Sequence, residues 1–217
     1  MDKIKIAIVD DHNLFRKGLR SLLEKREDFE ISFEAENGKV LLQKLATTPC
    51  DVILLDLDMP VMNGFEALEL IQLNYPNVKV LAITLHDDDV SIVRSIEHGA
   101  NGFLAKNDSI ELMHKAIIAV YEKDFFFTQK IRSALQKYKG KLFYPEMGNR
   151  MPNFTKKERE VLSLICMDYT SKEIANKIGT SVRTIEWHRK NLIEKTQAKS
   201  TAGIVFYAVK NHMVDWD

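Results

Sequence analysis

The first 124 residues consist of five repeats of a strand-like segment followed by a segment of helical periodicity. In the helical segments, apolar residues recur at three- and four-residue spacing, as Ile110, Met113 and Ile117 do. Strands that alternate with helices pair in parallel and carry helices on both faces of the sheet. We therefore predict a doubly wound α/β domain with a five-stranded parallel sheet. The predicted strands are residues 5–9, 30–35, 52–56, 79–84 and 102–105.

Polar side chains stand at the C-terminal ends of four of these runs. Because crossovers between parallel strands are right-handed, these ends gather along one edge of the sheet, where open α/β sheets place their chemistry. A carboxylate there could accept a phosphoryl group, whose negative charge a divalent cation would offset. Oxygen ligands favour Mg²⁺, with Mn²⁺ as the alternative. The residues are Asp10, Asp11 and Asp56 as metal ligands, and Thr84 and Lys106 as partners of the phosphoryl oxygens.

Length, charge and cysteine content favour a two-domain cytoplasmic protein. The 217 residues suffice for two domains, and the net charge of zero hides an asymmetry. Residues 1–124 contain 14 Lys and Arg against 22 Asp and Glu, a net −8, whereas residues 125–217 contain 17 against 9, a net +8. No signal peptide or membrane span is recognisable, so no membrane partner is expected. Cys50 and Cys166 have no disulfide or metal-site spacing.

Residues 125–153 are predicted to be a linker that contains one helix, over 129–138. They begin with three consecutive phenylalanines and end in a stretch with Pro145, Gly148 and Pro152. Turn formers at this density are typical of a linker. The phenylalanines are expected to pack against one of the domains, which is the usual role of large aromatic side chains.

Residues 154–217 are predicted to form a four-helix domain. Thr155 and Glu158 have the spacing of a capping box at the start of its first helix. Gly179 takes the position of a left-handed C-cap after a short second helix, and two short helices joined by such a turn are typical of a helix-turn-helix. Ser171 is predicted to precede the second helix, over 172–178, Ser181 to cap the third helix, and Ser200 to precede the fourth.

Residues 1–124 resemble the flavodoxin-like receiver domain of bacterial two-component response regulators. The resemblance is carried by Ile8-Val9-Asp10-Asp11-His12, by the stretch Asp-Leu-Asp-Met-Pro-Val-Met-Asn-Gly at 56–64, by Thr84 and by Lys106.

This resemblance implies that Asp56 accepts a phosphoryl group from a histidine kinase or a small phosphodonor. It also implies that Mg²⁺ is held by Asp11, Asp56 and the backbone carbonyl of Asp58, with Asp10 acting through water. Phe103 matches the aromatic switch position of the family. Its ring would turn inward as Thr84 moves toward the phosphoryl group.

A phosphatase of the haloacid-dehalogenase type is a remote alternative, because Asp56-Leu57-Asp58 also fits the Asp-x-Asp pattern of that family. Its additional acid pair should follow the lysine, whereas Asp10 and Asp11 lie on the first strand. Residues 59–64 match receivers, and no segment is typical of a cap domain. We therefore expect no enzymatic activity, except that the receiver assists its own phosphorylation and dephosphorylation.

Residues 154–217 resemble a LuxR-type helix-turn-helix domain, through residues 154–162, 171–175 and 181–189. With the receiver, this resemblance suggests a NarL/FixJ-like transcription regulator, whose third helix would enter the major groove. The residues implied in DNA binding are Lys172, Ser181, Arg183, Thr184, Glu186, Trp187, Arg189, Lys190, Lys195 and Lys199.

Two positions of the third helix depart from the family's pattern, which often has lysine and a smaller residue there. Glu186 either reads a base or lowers DNA affinity, and Trp187 either contacts a thymine methyl or shields the helix. With Ile185 and Leu192 facing inward, Arg189 is expected to point outward. In relatives the fourth helix also forms the dimer contact on DNA, here through Ile204, Val205 and Ala208.

The sequence thus predicts a regulator that binds double-stranded DNA and dimerises when Asp56 is phosphorylated, with RNA polymerase as a further candidate partner. A linker of this length could instead let the receiver mask the third helix until phosphorylation. The nearest alternative is a regulator that acts unphosphorylated and uses its receiver as a dimerisation module.

Overall fold

The computed structural model describes residues 3–138 and 152–214. Its strands are β1 (Ile4–Val9), β2 (Phe29–Ala35), β3 (Val52–Asp56), β4 (Lys79–Thr84) and β5 (Gly102–Ala105). They form one parallel sheet in the order β2-β1-β3-β4-β5, which confirms the predicted five-stranded sheet. The central strand β3 is buried along its whole length, as expected for an apolar run without polar alternation.

Helices cover both faces of this sheet, because alternate strand residues point to opposite sides. The helix bounds are α1 (Asn13–Leu23), α2 (Gly38–Leu45), α3 (Gly64–Asn74), α4 (Asp89–Glu97) and α5 (Ile110–Lys123). Leu54 contributes to the core beneath α1 and α5, whereas Leu55 contributes to the core beneath α2, α3 and α4. The doubly wound arrangement is therefore confirmed.

The three phenylalanines after α5 pack against the α/β domain, as predicted. Phe125 and Phe127 are buried, and Phe126 N donates to Asn101 O at 2.9 Å. They lead into α6 (Gln129–Lys137), which Thr128 caps. The predicted turn formers Pro145 and Gly148 lie outside the described residues.

The C-terminal domain contains α7 (Lys156–Cys166), α8 (Ser171–Ile178), α9 (Val182–Thr196) and α10 (Thr201–Lys210). The capping box of Thr155 and Glu158 is present, and Gly179 ends α8 with a φ of 67°, both as predicted. The start of α8 was placed one residue late, because the N-cap is Thr170 and its capping-box partner is Glu173. Among the described residues, no helix is long and apolar enough to span a membrane.

The two domains pack directly on each other. Helix α4 contacts both α6 and α10, and one cluster of buried apolar side chains continues from the α/β domain into the helical domain. Ion pairs also cross the interface, between Lys199 and Glu69 at 3.0 Å and between Arg189 and Asp124. The helical domain is thus seated against the α/β domain on the side of α4.

Candidate functional site

The acidic residues at the C-terminal edge of the sheet surround one lysine. Lys106, just beyond β5, has its Nζ 2.7 Å from Asp56 Oδ2 and 2.7 Å from Asp10 Oδ2. Both carboxylates are buried, and the lysine side chain is 5% exposed. Asp58 N donates to Asp56 Oδ1 at 3.2 Å. The predicted residues Asp10, Asp56 and Lys106 therefore lie in direct contact, with Asp56 bound on both its oxygens.

Burial and neighbouring charges oppose each other in this group. Burial raises the pKa of Asp56, and the hydrogen bond from Lys106 only partly counters this because the Asp10 charge also raises it. Burial alone would lower the pKa of Lys106, but its bonds to the two carboxylates outweigh burial and raise it. Asp56 is consequently a more basic carboxylate than an exposed aspartate, beside a fixed cation, which suits a nucleophile.

Four side chains at this edge could share a metal ion. Asp10, Asp11, His12 and Asp56 each offer a ligand atom within 4.8 Å of the others. Three of the four are carboxylates, two of them buried, so the residues present fit a hard divalent cation such as Mg²⁺ or Mn²⁺. His12 was not among the predicted metal ligands; its side chain is largely exposed, and its Nδ1 lies 3.0 Å from Asp11 Oδ1.

The turn that follows Asp56 needs two unusual backbone positions. A Cβ at Gly64 would lie 2.3 Å from Asp56 O and 2.6 Å from Leu57 Cα, so only glycine fits there. Val61 has a φ of 71°, in the left-handed region that branched residues rarely occupy. Asn63 and Glu66 then form the capping box of α3. The turn that follows Asp56 is thus tightly folded.

Thr84 lies at the end of β4, as predicted, but its hydroxyl bonds to Asp58. Thr84 Oγ1 donates to Asp58 Oδ2 at 3.0 Å and accepts from His86 N at 3.1 Å. Phe103, one strand away, is 4% exposed. The turn of its ring as Thr84 moves stays a prediction.

Helix α9, the predicted recognition helix, presents most of its predicted DNA contacts to solvent. Arg183, Glu186, Trp187 and Lys190 are exposed, and so is Lys172 on α8. At the start of α9, the Ser181 side chain accepts from Thr184 N at 3.1 Å and lies 2.8 Å from its hydroxyl.

Arg189 is not exposed to solvent, so the prediction that it points outward is wrong once both domains are considered. Arg189 leaves its own domain, but the α/β domain covers it, and it is 3% exposed. Its guanidinium pairs with Asp124, which also lies 2.5 Å from Lys79 Nζ. The last two predicted phosphate contacts are also engaged, because Lys195 binds Glu158 at 2.7 Å and Lys199 binds Glu69.

The predicted dimer residues are covered as well. Ile204, Val205 and Ala208 have no exposed surface, and α10 packs against α4, α6, α7 and α9. They cannot contact a second chain in this arrangement, because the chain's own helices occupy their surroundings.

Two side-chain contacts at these sites were not predicted from the sequence. Asp124 has a left-handed φ of 69° at the end of α5, and its partner Arg189 is 65 residues away, so no local spacing signals the pair. Asp58 was predicted to act through its backbone, whereas here its side chain binds Thr84.

Two protein families match the chain. The family described as response regulator receiver domain matches residues 6–118. The family described as bacterial regulatory proteins, luxR family, matches residues 152–208.

Full-length relatives agree with these matches. The transcriptional regulatory protein LnrK of Bacillus subtilis is 32% identical over 95% of this chain and 97% of its own. The oxygen regulatory protein NreC of Staphylococcus epidermidis is 31% identical over 98% of this chain and 100% of its own. A structure of the RcsB response regulator of Salmonella typhimurium has the same fold, with a TM-score of 0.58 and 24% identity over 91% of this chain and 94% of that one. The chain therefore belongs to the NarL/FixJ-type response regulators, in which a receiver domain is joined to a LuxR-type DNA-binding domain.

Proposed function

We propose that phosphorylation of Asp56 by a histidine kinase, assisted by Mg²⁺, converts this regulator from a closed form into a homodimer that binds DNA and regulates transcription. The observation that supports this is the burial of Arg189 against the receiver domain. The apolar residues of α10 that would meet a second chain are buried too. A regulator with both surfaces covered needs its domains to separate before it can act on DNA.

The chemistry at Asp56 is a phosphoryl transfer between two side chains. A carboxylate oxygen of Asp56 forms the new O–P bond while the N–P bond of the kinase phosphohistidine breaks, and the electron pair leaves with the imidazole nitrogen. Mg²⁺, held by Asp11, Asp56 and the Asp58 carbonyl with Asp10 acting through water, would offset the charge of the phosphoryl oxygens. Lys106 supplies a fixed cation 2.7 Å from the nucleophile.

The route from this site to the DNA-binding domain begins at Thr84. The loop after it leads into α4, and two lysines of α6 bind acids of that segment, Lys130 to Asp87 and Lys137 to Asp89 at 3.0 Å. Helix α4 in turn packs against α10. A movement of Thr84 toward a phosphoryl oxygen would therefore disturb the surface on which the helical domain rests. Phosphorylation would shift a pre-existing equilibrium between closed and open forms.

DNA binding by the wild type and by Asp56→Asn tests the proposal. Bound sequences are first selected from a random pool with phosphodonor-treated wild type, and their affinities are then measured for both proteins with and without phosphodonor. We expect the phosphodonor to increase the affinity of the wild type only, and chelation of Mg²⁺ to abolish that increase. Equal affinity in all four conditions would show instead a regulator that works unphosphorylated.

A further inference from the structure

A cleft of about 870 Å³ lies between the two domains, lined on one side by the receiver and on the other by α9. Leu73 of α3 and the nearby Pro76 belong to its receiver wall, and Ile193 and Arg189 of α9 belong to the opposite wall. Leu73 is 77% exposed, so its side chain presents apolar surface to whatever enters the cleft. The volume lies within the range of sites for small organic molecules.

Arg189 carries an unused edge of its guanidinium in the wall of this cleft. Its Nη1 binds Asp124, whereas Nε and Nη2 have no hydrogen-bond partner in the part of the chain that the structure describes. Nε–H and Nη2–H lie on the same edge of the planar group, where their spacing matches two oxygens of a carboxylate or a phosphate. Arg189 is 3% exposed, so bulk water does not readily satisfy these donors. Because buried donors without a partner are unfavourable, this edge favours an acceptor with two oxygens.

The charges beside this edge also favour an anion. Asp124 is shared by two cations, with one carboxylate oxygen bound to Lys79 and the other to Arg189. Both of its oxygens are therefore engaged, and the three groups together carry one net positive charge. Glu186 and Glu194 also line the cleft, but both are exposed, so solvent screens their charges.

We propose that this cleft binds a small organic anion, whose carboxylate or phosphate group binds Arg189 and Lys79 and whose apolar part covers Leu73 and Ile193. Lys79 begins β4 of the receiver, whereas Arg189 belongs to the DNA-binding domain. A ligand bound to both would stabilise the closed arrangement, because its contacts are lost when the domains separate. It would be a second input, which opposes DNA binding. The inference rests on the closed form of the proposed function and does not depend on the chemistry at Asp56.

Anion binding is measured on unphosphorylated full-length protein without Mg²⁺ or phosphodonor, so the result is independent of Asp56. The probes are benzoate and phenyl phosphate, which each join an oxyanion to an apolar ring, and benzyl alcohol is their uncharged counterpart. We expect at least one anion to shift the Arg189 Nε–H signal in proton–nitrogen NMR spectra saturably, at constant ionic strength, and benzyl alcohol to leave it in place. The anion that binds more tightly identifies the group as carboxylate or phosphate. The absence of a shift with both anions would overturn the proposal.

Two substitutions test the paired donors and the second cation separately. Arg189→Lys keeps a cation beside Asp124 and removes the paired donors, whereas Lys79→Gln removes the second cation and keeps the pair of Arg189 with Asp124. Each should raise the probe Kd, measured by saturation-transfer NMR, by at least about 10-fold. The matched control is Arg159→Lys, at an exposed arginine of α7 outside the cleft, which should stay within about 2-fold of the wild type.

Small-angle X-ray scattering verifies that each variant remains closed. Should Arg189→Lys open the chain, Lys79→Gln decides alone, because it leaves the ion pair across the interface in place. An unchanged probe Kd in Lys79→Gln would contradict the proposal.

DNA binding by the unphosphorylated chain tests whether the anion holds the domains together. At about ten times its Kd, a probe that binds only the closed form should weaken DNA binding about 10-fold. Lys79→Gln should respond at most about 2-fold, although every side chain of its α9 is unaltered. An equal response in both proteins would indicate competition at the DNA-contacting residues and reject the proposal, as would no response in the wild type. If the probe acts as expected but the phosphodonor does not change DNA affinity, only the proposed role of Asp56 fails.

Discussion

At the scale of single residues, the turn after Asp56 holds Val61 in a conformation that valine rarely adopts. Its φ of 71° brings the branched Cβ against the backbone, and its side chain is 77% exposed, so packing compensates little of the strain. The strain persists because the turn is fixed at both ends, by Asp56 in the sheet and by the Asn63 cap of α3. A residue that accepts positive φ would relieve it.

We expect Val61→Gly to raise the free energy of unfolding by about 1 kcal/mol, since glycine avoids the steric cost of the left-handed region. The matched control is Val182→Gly, at another exposed valine that begins α9 with an ordinary negative φ. The control should lose stability, because glycine is unfavourable in a helix. Urea unfolding of the three proteins measures both changes, and a loss of stability in Val61→Gly would contradict the strain argument.

At the scale of secondary-structure elements, one acid connects two helices of the DNA-binding domain. Glu158 accepts from Thr155 N at 2.8 Å in the capping box of α7 and binds Lys195 of α9 at 2.7 Å. Burial alone would raise the pKa of Glu158, but the bonds from Lys195 and Thr155 outweigh burial and lower it. Glu173 has the same capping position on α8 and is exposed.

Glu158→Gln should lower the free energy of unfolding by about 1–3 kcal/mol, because it removes a buried charged acceptor. Glu173→Gln should lower it less. A group with a lowered folded-state pKa stabilises above its ordinary pKa, here 4.5, and that contribution is lost as the pH falls through the folded value. Urea unfolding at pH 7 and pH 4 should therefore show the Glu158 difference shrinking at the lower pH. Equal losses in both variants at pH 7 would indicate that only the capping matters.

The elements themselves were predictable because their signals are local. Four of the five predicted strands are apolar runs that the sheet buries, whereas residues 30–35 include two glutamates and are only partly buried. Thr155, Gly179 and Ser181 act at the helix ends that their spacing indicated. The start of α8 was misplaced although its signal was present, since Glu173 stands three residues after Thr170 and the residue three after Ser171 is apolar. The capping box decides between two neighbouring hydroxyl residues.

At the scale of the whole molecule, the placement of Arg189 could not be predicted from helix periodicity. Periodicity shows which side of α9 faces its own domain, and Arg189 does point away from it. The receiver surface that covers Arg189 depends on how the domains pack, which no local pattern records. For the same reason, the burial of the predicted dimer residues on α10 could not be predicted. Their apolar character fits a domain interface and a dimer contact equally well.

The burial of Arg189 also destabilises the closed arrangement in part. Arg189 is buried with Asp124 as its ion-pair partner, while its Nε and Nη2 have no hydrogen-bond partner among residues 3–138 and 152–214. A buried charge with incomplete hydrogen bonding offsets part of what its ion pair contributes. The apolar packing of α4, α6 and α10 therefore stabilises the closed form, and the incomplete hydrogen bonding of buried Arg189 opposes it. Under the proposed function, a modest change at Asp56 would then separate the domains.

Removing the partner of Arg189 should open the unphosphorylated chain. Asp124→Asn keeps a residue that tolerates the left-handed φ of 69°, and it leaves the buried guanidinium without a counterion. We expect the affinity of unphosphorylated protein for DNA to rise by at least about 10-fold, equivalent to 1.4 kcal/mol. The radius of gyration from small-angle X-ray scattering should rise with it.

Glu69→Gln is the matched control, because it removes an ion pair that crosses the same interface where both side chains are partly exposed. Exposed pairs contribute little, so this variant should remain closed and bind DNA as weakly as the wild type. An unchanged radius of gyration in Asp124→Asn would mean that apolar packing alone keeps the domains together. In that case Arg189 would be covered only because the domains pack together, and its ion pair with Asp124 would not control whether they separate.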